Sequence, residues 1–302
     1  MPKLTIKHIT TYQYKRPVAF GEHFMMLRPR DSHDQRLLDA KLVITPRPAG
    51  IRRTQDAFDN HVDIANFAGR AKELRFASTI RLEHSHTDIE DIKIEEFART
   101  YPFIYSANEM PDLVRFVERQ SSDPESHVEQ WTRTFLEKDR PTDTREFLIH
   151  LTHRIRQAFT HVRRDEKGVQ TPLQTLQLGS GSCRDLAVLM IDAVRSLGMA
   201  ARFVSGYLYI PADDEAGHVG GGNTHAWAQV YLPGPGWVDF DPSNGLIGNR
   251  DLIRVAVVRD PRQALPLYGT WTGIRTDFIG MKVEVAVTSE SAKSKTPVPH
   301  HD

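Results

Sequence analysis

The N-terminal part of the chain consists of short segments rich in β-branched and aromatic residues, the composition that favours strands. Residues 4–14, 41–45 and 76–82 are examples. Prolines and glycines separate these segments, and no long stretch between them repeats its apolar positions with the 3.6-residue period of a helix. The pattern predicts a β-rich, sandwich-like domain over residues 1–95.

Helical periodicity begins later, after a linker that contains prolines. Residues 112–120 and 125–138 each place their apolar side chains on one helix face, which predicts a helical linker region at about residues 110–140. Asp143, with Glu146 three residues further on, is typical of a helix N-terminus and predicts a third helix.

The length of 302 residues suggests about two domains, at roughly 150 residues for each. We therefore expect an α+β protein in which a second, catalytic domain over residues 96–288 follows the β-rich domain. The last segment, residues 289–302, is polar and contains two prolines, so we expect it to be a disordered tail.

Composition limits the classes of partner. Lys and Arg number 39 and so do Asp and Glu, and this zero net charge argues against a general binder of nucleic acids or anionic membranes. No segment approaches the ~18 apolar residues of a membrane span, and the first residues lack the apolar stretch of a secretory signal. A single cysteine excludes an intrachain disulfide and a multi-cysteine zinc site. We expect a cytoplasmic protein with no nucleic-acid or membrane partner.

The segment 179–198 carries the strongest chemical signal. It runs from a Gly/Ser loop into an amphipathic helix, and Cys183 lies at the first turn. The free backbone N–H groups and positive dipole end of a helix favour a thiolate there, and they could also bind an oxyanion. An inert buried cysteine at the start of a core helix would fit this segment equally well, so the neighbouring residues must decide.

A nucleophilic cysteine needs a base and a group that orients the base. His225 lies at the start of a predicted strand, and Asp241 ends the next short strand. Neighbouring antiparallel strands would place these two side chains next to each other. Asp239 is a competing carboxylate, because strand alternation points it to the same face two residues deeper. We select Asp241, which is next to the turn.

These segments resemble the bacterial transglutaminase-like superfamily, whose members are often described as candidate cysteine proteases with a papain-like core. Several motifs in the same order carry the resemblance, which covers about residues 1–285. It implies a core in which the nucleophile lies at the N-terminus of a helix and this helix packs on an antiparallel sheet. It also implies that this core follows a β-rich N-terminal domain, which is found in one branch of the family. Asp59 stands where that branch has a glycine. The motifs are residues 8–18, 27–30, 56–60, 181–187, 201–208, 224–227 and 236–244.

The resemblance also implies roles for single residues. Cys183 matches the nucleophile, His225 the base and Asp241 the residue that orients the imidazole. Gln177 precedes Cys183 at the place where papain-like proteases keep an oxyanion-binding glutamine, although it would also fit a solvated loop. Trp227 could form the wall of the acyl site or belong to the core. The sequence shows no acidic calcium loop and no phosphate-binding loop, so we expect no metal and no organic cofactor.

The leading hypothesis is a thiol-dependent protease or amidase that acts on a peptide, protein or amide substrate, with water as the acceptor. A transglutaminase with an amine acceptor would use the same Cys-His-Asp triad. An arylamine N-acetyltransferase would use the same order of residues, but the segment around Cys183 does not resemble that family. A non-catalytic binding module on the same fold is the alternative from another class.

Overall fold

The structure of the protein, a computed structural model, describes residues 2–86, 92–164, 168–210, 218–219 and 221–290. Within these ranges the fold is α+β and its two large sheets are antiparallel, as predicted. The helices are α1 (Met110–Val117), α2 (His127–Arg133), α3 (Thr144–Ala158), α4 (Pro172–Leu178) and α5 (Cys183–Ser196). The strands are β1 (Lys3–Met25), β2 (Gln35–Thr45), β3 (Gly50–Gln55), β4 (His61–Asn66), β5 (Arg70–His84), β6 (Thr100–Tyr101), β7 (Thr142–Asp143), β8 (Thr160–His161), β9 (Ser180–Gly181), β10 (Ala201–Leu208), β11 (His225–Leu232), β12 (Gly236–Asp241), β13 (Leu246–Ile247), β14 (Leu252–Val258), β15 (Leu267–Thr272) and β16 (Phe278–Ser289).

A seven-stranded antiparallel sheet forms the N-terminal region. Its order is β2-β5-β1-β4-β3, and β15 and β16 also pair with β1. The 23-residue β1 pairs with β5 and β16 mainly over its first half and with β4 and β15 over its second half. The register of β1 shifts between these two halves, which lets the sheet curl. Asp59, in the turn before β4, has a φ of 62°, a left-handed conformation that aspartate tolerates better than most residues.

The C-terminal strands correct the predicted domain boundaries. β15 and β16 fall within the range 96–288 expected for the second domain, but they pair with β1 of the N-terminal sheet. The pairing extends from Leu4↔Ser289 to Tyr14↔Phe278. Strand propensity indicates that such segments are strands but says nothing about their partner. Residue 289, where we expected a disordered tail to begin, is thus within a strand, and residues 291–302 lie outside the described residues.

The helices that precede the site agree with the sequence pattern in position. α1 and α2 lie in the predicted helical linker region, and α3 begins after Asp143. The Asp143 side chain accepts a hydrogen bond of 2.9 Å from the backbone N–H of Glu146, so the predicted N-cap is present.

The second main sheet has the order β13-β12-β11-β10-β14, and α5 packs on β11 and β10. Alternate residues of β11 (Ala226, Ala228 and Val230) share a buried apolar cluster with Leu186 and Met190 of α5. This helix on an antiparallel sheet is the arrangement that the sequence predicted.

The two sheets meet along β14, whose outer edge pairs with no strand among the described residues. Two side-chain amides of the N-terminal region take the place of one. Gln35 exchanges hydrogen bonds of 2.9 and 3.1 Å with the backbone of Arg254, and Asn60 exchanges bonds of 2.8 and 2.9 Å with the backbone of Val257. These contacts satisfy an otherwise open sheet edge and fix the N-terminal sheet against the second one.

Candidate active site

Cys183 is the first residue of α5, and a tight loop leads to it. Gly179, with a φ of 61°, ends α4, and this left-handed conformation favours glycine. β9 then pairs in parallel with β8, so that His161 lies opposite Gly181. Backbone hydrogen bonds of 2.9 Å on both sides of His161 hold the two short strands together. The loop therefore places the cysteine at the helix N-terminus and beside β8.

Asp185 holds this loop in place. It is fully buried, and its carboxylate accepts hydrogen bonds from the backbone N–H groups of Gln170 and Ser182 at 2.7 and 2.8 Å. The Ser182 hydroxyl donates a further bond at 2.7 Å, and Arg164 contacts both carboxylate oxygens at 2.9 Å. A preference for acidic residues in the first helical turn would explain the residue type. The contacts show that Asp185 also joins three chain segments around Cys183.

His225 and Asp241 lie side by side on β11 and β12, as the strand order predicts. Nε2 of His225 bonds to Oδ2 of Asp241 at 2.7 Å, and neither side chain is exposed. The carboxylate also accepts hydrogen bonds from the backbone N–H of Ser243 at 2.9 Å and from Nδ2 of Asn244 at 2.7 Å. These extra donors fix the carboxylate, and the carboxylate in turn fixes the imidazole ring.

The imidazole of His225 also acts on the thiol of Cys183, whose pKa it lowers. Nε2 is occupied by Asp241, so Nδ1 is the ring nitrogen left for the thiol, and this buried atom has no hydrogen-bond partner among the described residues. The structure thus brings Cys183, His225 and Asp241 together in one line of contacts.

Both members of the Cys183–His225 pair have shifted pKa values. Burial alone would raise the pKa of the Cys183 thiol, but hydrogen bonds from His161 and His225 and the charge of His225 lower it to about 6. Burial alone would lower the pKa of His225, but the charge and hydrogen bond of Asp241, together with Cys183, raise it to about 10. These opposite shifts favour the thiolate and the imidazolium as the state of the pair.

His161 is a site residue that sequence reasoning missed. Its imidazole acts as a hydrogen-bond donor that lowers the pKa of the Cys183 thiol, so a second imidazole stabilises the thiolate. β8 has only two residues and forms through pairing with the loop before Cys183, so the hydrophobic pattern gives no signal for it. Asn244, which bonds to Asp241, was likewise not selected, although it directly follows the Asp-Pro-Ser turn.

The two remaining sequence candidates lie elsewhere. Gln177 is on the exposed face of α4, and no described hydrogen bond links it to Cys183. Trp227 is fully buried and donates from Nε1 to Asp239 at 2.6 Å, while its ring stacks on His225 with centroids 6.0 Å apart. Trp227 therefore packs against the imidazole from within the core, and Asp239 serves this indole rather than His225.

The described part of the chain also bears on metal binding and on membrane spanning. No group of three or more His, Cys, Asp or Glu side chains there is arranged to bind a metal ion. None of the helices in those ranges combines the length and the apolar character that a bilayer crossing requires.

Comparison with known proteins agrees with this architecture. Residues 4–83 match the bacterial transglutaminase-like N-terminal region, and residues 129–242 match the transglutaminase-like superfamily. A crystal structure of a candidate cysteine protease from Cytophaga hutchinsonii superposes with a TM-score of 0.72 at 19% identity, over 99% of this chain and 94% of that one. This likeness shows a shared fold.

Relatives in mycobacteria are uncharacterized proteins. One from Mycobacterium tuberculosis is 30% identical over 93% of this chain and 91% of its own length. One from Mycobacterium leprae is 34% identical over 113 residues, which are 37% of this chain, and the match spans only 40% of that relative. From its fold and its sequence, the chain belongs to the bacterial transglutaminase-like superfamily.

Proposed function

We propose that the protein is a thiol-dependent acyl-transfer enzyme that attacks an amide or peptide carbonyl and passes the acyl group to water, as a protease or amidase does. The observation that carries this proposal is the buried His225–Asp241 pair, bonded at 2.7 Å, whose imidazole lowers the pKa of the Cys183 thiol. A lowered thiol pKa beside a raised imidazole pKa gives a reactive thiolate and a proton donor at neutral pH.

In the first half of the reaction, the Cys183 thiolate forms a bond to the carbonyl carbon, and the carbonyl π electrons move to the oxygen. The backbone N–H of Cys183 has no partner within its helix and is suited to stabilise this oxyanion. Nδ1 of His225 then gives its proton to the leaving nitrogen as the C–N bond breaks. The amine or ammonia departs and a thioester remains.

In the second half, His225 is neutral and takes a proton from water through Nδ1 as the water oxygen attacks the thioester. The C–S bond breaks, a carboxylic acid leaves, and the thiolate–imidazolium pair is restored. Asp241 stays ionised throughout, keeps the proton of His225 on Nε2 and stabilises the imidazolium. The pKa of Asp241 is held below its usual value because the charge and hydrogen bond of His225 outweigh the effect of burial.

The experiment is to trap the acyl-enzyme. The protein is incubated with a panel of blocked peptide amides and glutamine peptides, and intact mass spectrometry follows adducts while ammonia release is measured. We expect an acyl mass on Cys183 and ammonia release that needs no added amine. Ammonia release that depends on an added primary amine would identify the transglutaminase alternative instead.

Matched variants make the result specific. Cys183→Ala should show neither adduct nor ammonia, whereas Ser196→Ala, at the opposite end of α5, should behave as the wild type. Turnover that persists in Cys183→Ala would overturn the covalent mechanism. No adduct on any amide in a folded wild-type protein would favour the non-catalytic binding module.

The same proposal includes the setting of the reaction. The protein has equal numbers of basic and acidic residues, so it lacks the positive charge that nucleic acids and anionic membranes attract. We therefore propose a peptide, a protein or a small amide as the substrate. A single cysteine that must stay reduced suits the cytoplasm, which we propose as the compartment. Fractionation of cells followed by immunodetection would test this compartment directly.

A further inference from the structure

A cavity of about 310 Å³ lies between the N-terminal sheet and the second sheet, away from Cys183. Ligand pockets span roughly 300–1,000 Å³, so this one would hold a small molecule. Its wall combines charged groups with an apolar part. The apolar part consists of Ile92, Pro235, Trp237, Val238, Val255 and Val257.

Arg202 is the unusual group in this wall. It is largely buried, and its Nε donates to Oε1 of Gln229 at 2.8 Å. The guanidinium carbon lies 4.1 Å from the centre of the Trp237 ring, so the plane of the cation is held by stacking. Among the described residues, no group accepts a hydrogen bond from its two terminal nitrogens, and no carboxylate lies within ion-pair distance of them.

The nearby carboxylates are already engaged. Arg254 forms ion pairs with both Asp34 and Asp239, at 3.1 Å in the case of Asp239. The other oxygen of Asp239 accepts the indole N–H of Trp227 at 2.6 Å. Arg202 thus lines the cavity as a partly buried cation whose two terminal nitrogens no described residue engages, and such a group gains stability from an anion.

The charge in the wall limits the kind of anion. Arg254 forms ion pairs with Asp34 and Asp239, and Arg30 lies 3.6 Å from a carboxylate oxygen of Asp59, so among the described residues Arg202 is the arginine of this wall without a carboxylate partner. A single carboxylate would pair with this one guanidinium, whereas a doubly charged phosphate would bring a second negative charge near Asp34 and Asp239. The apolar residues favour a ligand whose remaining atoms are hydrophobic.

We propose that this cavity binds a small monocarboxylate with an apolar body, whose carboxylate pairs with the terminal nitrogens of Arg202. Burial lowers the pKa of Arg202 to about 9, which leaves the cation charged at pH 7 and ready to pair. The site does not depend on the chemistry proposed for Cys183.

The test compares benzoate with benzamide, which has the same shape without the charge. Calorimetric titration of the full chain should show saturable benzoate binding, and benzamide should bind at least about tenfold more weakly, since hydrogen bonds to a charged group are the strong ones. Inorganic phosphate should also bind more weakly than benzoate. Equal binding of benzoate and benzamide, or no binding of benzoate at millimolar concentration, would overturn the proposal, and tighter binding of phosphate would assign the site to another anion.

Variants locate the site. Arg202→Gln should lose about tenfold or more in benzoate affinity, and Arg262→Gln, the same change at an exposed arginine paired with Asp260, should lose none. If Arg202→Gln does not fold, Arg202→Lys keeps the charge without the planar fork and should bind benzoate more weakly than the wild type. Full affinity in Arg202→Gln would place the binding elsewhere. The titration repeated in Cys183→Ala should be unchanged, which separates this site from the proposed catalysis.

Discussion

The two faces of β11 differ in chemistry although they alternate along the same strand. Ala226, Ala228 and Val230 face α5 and are buried among apolar side chains. His225 and Trp227 lie on the other face, where each forms a short hydrogen bond to a carboxylate of β12. Both faces are buried, so burial alone does not distinguish a residue that stabilises the fold from one that sets reactivity. The polar partners make that distinction.

Variants on the two faces of β11 can test whether one face sets reactivity and the other sets stability. Changes on the face that carries His225 should alter the reactivity of Cys183 more than the stability of the fold. Changes on the face that packs against α5 should alter the stability of the fold more than the reactivity of Cys183. Alkylation of Cys183 by iodoacetamide measures reactivity on its own, because the chain has one cysteine.

His225→Ala should have the largest effect. Without the imidazolium, the pKa of Cys183 should return from about 6 to at least the ~8.5 of a free thiol, so the alkylation rate at pH 6 should fall roughly a hundredfold. The measurement is the pseudo-first-order rate by mass spectrometry. His150→Ala, an exposed histidine on α3, is the control and should leave the rate unchanged. A fall of less than about threefold in His225→Ala would contradict the pairing.

Asp241→Asn should have the next largest effect. The charge of Asp241 is the main cause that raises the pKa of His225, so the neutral amide should lower the imidazolium population and slow alkylation at pH 6 about tenfold. Asp239→Asn, the same change two residues earlier on β12, should slow it less because Asp239 bonds to Trp227. An equal or larger effect of Asp239→Asn would reverse our assignment of the two carboxylates.

His161→Phe tests the second imidazole. The loss of one hydrogen bond to the thiolate should raise the pKa of Cys183 and slow alkylation at pH 6 about fivefold. His161→Gln, which keeps a donor of similar reach, should recover part of the rate. The same rate in all three proteins would mean that His161 only supports the loop.

Val230→Ala tests the opposite face and should have the smallest effect on reactivity. It removes two methyl groups at a fully buried position, which should lower the free energy of unfolding by about 2 kcal/mol. Urea denaturation measures this change. The alkylation rate of the folded protein should stay within about twofold of wild type, and a larger change would show that the two faces are coupled.

Much of this arrangement follows from local sequence patterns. The Gly/Ser loop before an amphipathic segment placed Cys183 at a helix start, and the strand order placed His225 beside Asp241. Positions that depend on distant partners did not follow. β16 carries a strand pattern, but only the folded chain shows that its partner is β1. His161 reaches the thiol because two short strands pair across the loop, and this contact has no periodic signal.

The pH dependence of the alkylation of wild-type Cys183 tests the central claim most directly. The lowered thiol pKa means that the thiolate persists as the pH falls, until protonation near pH 6 removes it. We therefore predict a rate that is nearly constant from about pH 8 down to about pH 7 and falls to half near pH 6. A rate that instead rises tenfold per pH unit up to the ~8.5 of a free thiol, or a folded protein that does not react, would contradict a stabilised thiolate at this site.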